Sequence, residues 1–326
     1  MQLPVNGKAK VGEGAKVAFV FPGQGSQHVG MGREWCEQFA EARMVFEAAE
    51  EALSLPLRKI CFTGPEQELK LTRHAQPAIL TTSIAAFRAL KASSDLRPVC
   101  VAGHSLGEYS ALVSVGALKF EDAVKVVYER GSLMQQAVPA GKGLMAAVMG
   151  LSPFEVEQVC AQAAQTEVVS LAGLNGGGQI VIAGDKQAVL RAKEIAMEHG
   201  ARSVLELSVS APFHCPLMQP VAEGLSRVLQ NVEVHPYSVG VISNVDARVN
   251  VDAARVKDLL IRQVVHPVRW EESVQEIAAL GCKRAIEIGP GKILKGLMKR
   301  ISPCVEIQNL EGPNDLRKIL AQTSAQ

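Results

Sequence analysis

Val99-Cys-Val-Ala-Gly-His-Ser-Leu-Gly-Glu108 is a short β-branched run that breaks, at a glycine-flanked serine, into a helical stretch. Gly103-His104-Ser105-Leu106-Gly107 is therefore a G-x-S-x-G sequence in a strand-to-helix context. A sharp turn here presents Ser105 at a helix N-terminus. Gly103 and Gly107 relieve backbone crowding, and the Leu106 amide points at a site where an oxyanion can develop. A plain N-cap serine in a glycine turn uses the same local pattern, so the partners of Ser105 have to decide between the two.

Outward from this turn, further β-branched runs at 17–21, 239–242 and 284–288 read as buried strands, like 99–102. They alternate with helical patterns such as 76–91, which ends in a Ser-Ser-Asp break. That alternation predicts an α/β fold around a mainly parallel sheet. Between Gly143 and Val209 the order changes to strand 143–149, helix 153–164, strand 167–172, strand 179–183, helix 186–199 and strand 203–209. Ser152-Pro153-Phe154-Glu155 is a capping box, Asp185 is placed to cap the second helix, and Asn175-Gly-Gly-Gly178 makes the middle turn. A βαββαβ order matches a ferredoxin-like unit. It predicts an insertion, 141–209, in a core of 16–140 and 210–326, preceded by an extension, 1–15.

Composition narrows the function. The 326 residues suffice for one large domain or two modest ones at about 150 residues each. With 34 Lys plus Arg against 33 Asp plus Glu, the net charge of +1 gives no overall field for nucleic acid. No run approaches the roughly 18 apolar residues of a membrane span. After Lys8, Lys10 and Lys16, the apolar run 17–21 is too short for a secretory leader. Seven scattered cysteines without a C-x-x-C pair fit a reducing cytoplasm. The seven histidines show no metal-ligand spacing, so no metal is expected.

A serine nucleophile needs a base. His214, in Ser210-Ala-Pro-Phe-His-Cys-Pro216, lies in a loop stiffened by two prolines and is the best candidate; a packed loop histidine is the plain alternative. His104 adjoins Ser105 but should point away from it. No acid between serine and histidine stands out as a third member, and a backbone carbonyl can orient an imidazole instead. The loop Phe21-Pro-Gly-Gln-Gly-Ser-Gln27 lacks the third glycine of a dinucleotide fingerprint and any G-K-[ST], but the Gln24 amide can supply a second oxyanion donor. In the helical stretch 120–137, Arg130 has Val126, Val127, Leu133 and Met134 as apolar neighbours. A guanidinium in that setting requires a carboxylate, either an internal Asp or Glu or one on the substrate.

Together, the Phe21–Gln27 loop, Gly103–Glu108, Arg130, Ala211-Pro-Phe-His-Cys-Pro-Leu-Met218 and Glu287-Ile-Gly-Pro-Gly291 resemble the malonyl-CoA:acyl carrier protein transacylase family, over about 16–300. The resemblance implies a hydrolase-like α/β core with an inserted ferredoxin-like subdomain. It implies ping-pong transfer of malonyl from coenzyme A, through Ser105, to the phosphopantetheine thiol of an acyl carrier protein, in support of fatty acid synthesis. His214 corresponds to the base, the main chain of Gln263 to the group orienting it, and the amides of Gln24 and Leu106 to the oxyanion hole. Arg130 corresponds to the carboxylate-binding arginine. Gln76 and Asn175 line the substrate pocket by the same likeness; Met134 is expected to bind substrate with them, and Phe213, next to His214, either crowds an α-methyl branch or only packs the loop.

Gly173 stands where relatives often carry a second asparagine, and His266-Pro-Val-Arg-Trp270 replaces a commoner Asn-Pro opening. The implied enzyme is a cytoplasmic monomer without a permanently bound cofactor, its partners being malonyl-CoA and an acidic carrier protein, not nucleic acid or membrane. Lys292, Lys295 and Lys299, with Arg300 beside them, offer a basic face for such a carrier, although solvated lysines near a helix C-terminus look the same. A discrete polyketide synthase acyltransferase would share nearly all these residues. A serine thioesterase on the same scaffold is the alternative in which water completes the reaction.

Overall fold

The computed structural model describes residues 16–139, 141–207, 209 and 211–324. The expected extension 1–15 and the flanking Ala140 and Ser210 lie outside the described residues. Among the described residues ten strands form two sheets: β1 (Val17–Phe21), β2 (Cys100–Gly103), β3 (Gly143–Met149), β4 (Val169–Gly176), β5 (Gln179–Asp185), β6 (Ser203–Glu206), β7 (Gly240–Ile242), β8 (Val249–Asn250), β9 (Arg284–Ile288) and β10 (Glu306–Leu310).

The larger sheet runs β10-β9-β1-β2-β7-β8 and is parallel except for β8. All five residues of β1 are buried, because helices cover both faces. Val17, Phe19 and Phe21 enter one apolar core, whereas Ala18 and Val20 enter another with Trp270 and Met298, the two-residue period of a strand. Phe21 pairs with Gly103, so the loops leaving β1 and β2 lie side by side. That adjacency creates the site.

The helix expected over 76–91 runs Thr72–Ser93, with Pro77 inside it. Thr72, His74 and Ala75 of its first turn are buried, and Gly131 of the helix Phe120–Gln136 lies close to the Thr72 carbonyl, so tertiary packing extends the helix ahead of Pro77.

The smaller sheet, β4-β5-β3-β6, is antiparallel throughout, with helices Pro153–Ala164 and Lys186–Glu198 enclosing its own apolar cluster. This is the ferredoxin-like βαββαβ order, and the Ser152–Glu155 capping box is formed. Several details differ from the sequence expectation, among them a start of β4 at Val169 rather than 167, an end of β5 at Asp185 rather than 183 and an end of the second helix at Glu198 rather than 199. β4 continues through Asn175 to Gly176, so the turn is only Gly177-Gly178, with φ of 61° and 74° as a mirror-image hairpin turn requires. β6 ends at Glu206, short of 209. Asp185 does not cap its helix, because its Oδ2 accepts the Val168 N–H at 2.8 Å and closes the β4–β5 pair instead.

The smaller sheet is attached to the core through Val268, which exchanges main-chain hydrogen bonds with Ala172 and Leu174 of β4. No described helix is long and apolar enough to cross a membrane.

Candidate active site

A cleft of about 570 Å³ opens where β1 and β2 end, with residues of the smaller sheet along one wall. Gln24, Gln76, Ser105, Leu106, Arg130, Met134, Asn175, Phe213 and His214 all line it, while Gln263 lies behind.

The turn that delivers Ser105 depends on two glycines. A Cβ on Gly103 would sit 2.0 Å from the Gly107 carbonyl, and one on Gly107 would sit 2.1 Å from the Phe21 oxygen. Ser105 itself has a φ of 52°, and the clamps on both sides of it hold that conformation. Its N–H donates to Asn244 Oδ1 at 2.6 Å, and its carbonyl accepts from Gln263 Nε2 at 3.0 Å.

Ser105 Oγ lies 2.7 Å from His214 Nε2, and His214 Nδ1 lies 2.8 Å from the Gln263 carbonyl oxygen. A carbonyl only accepts, so Nδ1 carries the proton and Nε2 accepts the serine hydroxyl. Burial, followed by the Arg130 charge, pushes the His214 pKa down to about 3, which keeps the imidazole neutral. The orienting group is thus a main-chain oxygen rather than an acid.

Arg130 is 1% exposed. Nη1 donates to Gln76 Oε1 at 2.8 Å, and Nη2 donates to Gln263 Oε1 at 2.9 Å and to Ser105 Oγ at 3.1 Å. Burial lowers its pKa, and it forms no ion pair among the described residues. Of the two partners weighed for it, the internal carboxylate in direct contact is absent. The amides of Gln24 and Leu106 donate to no acceptor among the described residues, leaving both N–H groups available. His104 Nε2 meets Asn175 Oδ1 at 2.9 Å, which ties β4 to the strand-to-helix elbow at 103–107; His104 also packs edge-on against Trp270. Phe213 lies beside His214 on the cleft wall.

Sequence reasoning passed over Asn244 and Glu108. Asn244 bonds the Ser105 amide and the Gly103 carbonyl, and its own N–H donates to Glu108 Oε2 at 3.0 Å. The available signal was a polar Ser243-Asn244 pair at the carboxyl end of a strand beside the elbow. Among the described residues no group of three or more His, Cys, Asp or Glu could hold a metal ion.

Residues 18–302 match the acyl transferase domain family. The malonyl CoA-acyl carrier protein transacylase of Bacillus subtilis is 48% identical over 289 residues, covering 88% of this chain and 91% of the relative. The chain belongs to the malonyl CoA-acyl carrier protein transacylase family. Among solved transacylases, an acyl carrier protein S-malonyltransferase from Vibrio cholerae superposes with a TM-score of 0.92 at 45% identity, covering 94% of this chain and all of the other. A malonyl-transacylase solved in complex with a type II PKS acyl-carrier protein also gives 0.92, at 40% identity and with the same coverage. The family's acyltransferase fold is the α/β architecture described above.

Proposed function

We propose that the protein transfers malonyl from malonyl-CoA to the phosphopantetheine thiol of an acyl carrier protein, by a ping-pong route through a malonyl ester on Ser105, in support of fatty acid synthesis. The observation that carries this reading is a buried guanidinium, with no carboxylate in direct contact among the described residues, 3.1 Å from a serine hydroxyl that a neutral histidine holds at 2.7 Å.

In the first half-reaction His214 Nε2 takes the Ser105 proton as Oγ attacks the thioester carbonyl. The N–H groups of Gln24 and Leu106 stabilise the oxyanion. The imidazolium returns its proton to the coenzyme A sulfur as the C–S bond breaks. In the second, the pantetheine thiol gives its proton to Nε2 and attacks the ester, and Ser105 recovers the proton as it leaves. The malonyl carboxylate pairs with Arg130, whose planar fork matches two oxygens. A neutral acetyl group lacks that contact, which contributes on the order of 3 kcal/mol.

In this reading the protein works as a cytoplasmic monomer with no resident cofactor, 141–209 forming a subdomain on a core of 16–140 and 210–326. The solved transacylase in complex with its carrier supports a carrier protein as second substrate.

Intact-mass analysis tests the proposal. Malonyl-CoA should leave a malonyl adduct on the protein but not on Ser105→Ala, and holo carrier protein should discharge it far faster than water. Rapid discharge by water would favour a thioesterase, and absence of an adduct would sink the reading.

A further inference from the structure

The only carboxyl group tied to Arg130 by hydrogen bonds among the described residues is reached through an amide. Gln263 accepts from Arg130 Nη2 at 2.9 Å and donates from Nε2 to Glu108 Oε2 at 2.8 Å. Glu108 is 2% exposed and stands on the elbow helix Gly107–Ser114, three residues after the serine. Both of its accepted bonds, from Gln263 and from the Asn244 N–H, end on Oε2. Oε1 accepts none among the described residues. A second cavity of about 10 Å³, on the order of one water's room, touches Glu108 together with Ser243 and Asn250.

A buried cation and a buried anion linked in this way balance each other in the free protein. A malonyl carboxylate on Arg130 adds a second negative charge to a site already removed from water. Two carboxylates sharing one guanidinium in such surroundings favour the neutral form of one of them. The substrate's group would contact the guanidinium directly, whereas Glu108 is one amide removed. Protonation at Oε1 would leave both bonds to Oε2 intact.

We propose that Glu108 is the counter-charge of Arg130 in the free protein and cedes that role to the substrate. When a malonyl group binds, the Glu108 carboxylate takes one proton from solvent and becomes a neutral acid; a neutral acyl group causes no such uptake. Glu108 is thus a positioning residue, acting on Arg130 through Gln263, and the inference rests on the malonyl reading above.

Burial raises the Glu108 pKa to about 7, with Asn244, Gln263 and Arg130 opposing and Asp246 reinforcing the shift. The other ionisable groups facing it are Tyr109 on its own helix and Tyr237 ahead of β7. His214 lies beyond Gln263, and Arg255 is paired with Asp246.

Calorimetric titration of Ser105→Ala, which cannot be acylated, tests the linkage at pH 8 in two buffers of different protonation enthalpy. Malonyl-CoA binding should take up roughly one proton, acetyl-CoA none, and Glu108→Gln in the same background should abolish the uptake. Heats of malonyl-CoA binding independent of buffer would overturn the proposal, as would undiminished uptake in Glu108→Gln. A second measurement needs no substitution at Glu108. The kcat/KM for malonyl-CoA should fall by up to about tenfold per pH unit above pH 7 relative to acetyl-CoA; a level ratio would count against the proposal. Failure of malonyl-CoA to bind at all would strike the malonyl reading, not the role of Glu108.

Discussion

Ser105 and His214 both occupy the left-handed backbone region, at φ of 52° and 59°, where a side chain costs roughly 1–3 kcal/mol. Both are held by hydrogen bonds: the Ser105 main chain by Asn244 and Gln263, the His214 ring by the Gln263 carbonyl. Gln263 therefore fixes the tautomer of His214 with its main chain while its side chain bonds Arg130, the Ser105 carbonyl and Glu108. In the proposed reaction the Arg130 guanidinium carries the discrimination between acyl groups. Arg130→Ala should lower kcat/KM for malonyl-CoA by about 100-fold or more, the loss of a charge-assisted bidentate contact, while some acetyl loading persists. Stopped assays with both thioesters measure this, and unchanged malonyl kinetics would remove Arg130 from its role.

The elbow and the helix Ile293–Ile301 are the two elements whose geometry carries the most consequence. At the elbow, the Gly103 Cα packs on the Gly107 peptide with no room for a methyl group. Gly103→Ala should lose about 3 kcal/mol or more of stability, with a Tm lower by several degrees, and should displace Ser105 from His214. A thermal melt at wild-type values would contradict the close packing. The helix Ile293–Ile301 lines the cleft with Ile293, Leu294 and Leu297. It begins after Lys292, which stands at the N-cap position without a side-chain capping bond, so Lys292 lies just outside the helix that carries Lys295, Lys299 and Arg300. Lys299 is exposed, Lys295 is half-buried, and Lys292 lies 3.6 Å from Glu311. Lys295→Glu with Lys299→Glu should raise the KM for carrier protein several-fold and leave the KM for malonyl-CoA unchanged. Equal KM values for the carrier would remove the docking role.

For the whole molecule, the buried neutral His214 contributes to acid stability, beside His104, whose pKa burial also lowers. His214 takes a proton on unfolding at its ordinary value of 6.5 but in the folded state only near pH 3. Its contribution is therefore complete above about pH 6.5 and drains away as the pH falls toward 3. His214→Gln should flatten the fall of Tm between pH 6.5 and 4, and an unaltered pH dependence would contradict the buried neutral state. Much of this architecture was legible in the chain itself. Periodicity placed the β1, β3 and β9 strands and the helix 153–164, because those segments are decided by burial on a fixed repeat and by a local cap. Ser105, His214 and Arg130 stood out because the residue types contradict their local surroundings: a serine in a glycine turn, a histidine between prolines, a cation among apolar neighbours. The helix start at Thr72, the passage of β4 through Asn175 and the diversion of Asp185 from its cap depended on contacts from elsewhere in the chain. By itself the sequence determined the α/β order and the βαββαβ middle section and singled out Ser105, His214 and Arg130 as candidates, since each follows from local spacing and chemistry. Only the tertiary structure decided that Arg130 reaches Glu108 through Gln263, because 155 residues separate Glu108 from Gln263 and a hydrogen bond depends on distance in space, which no local pattern encodes.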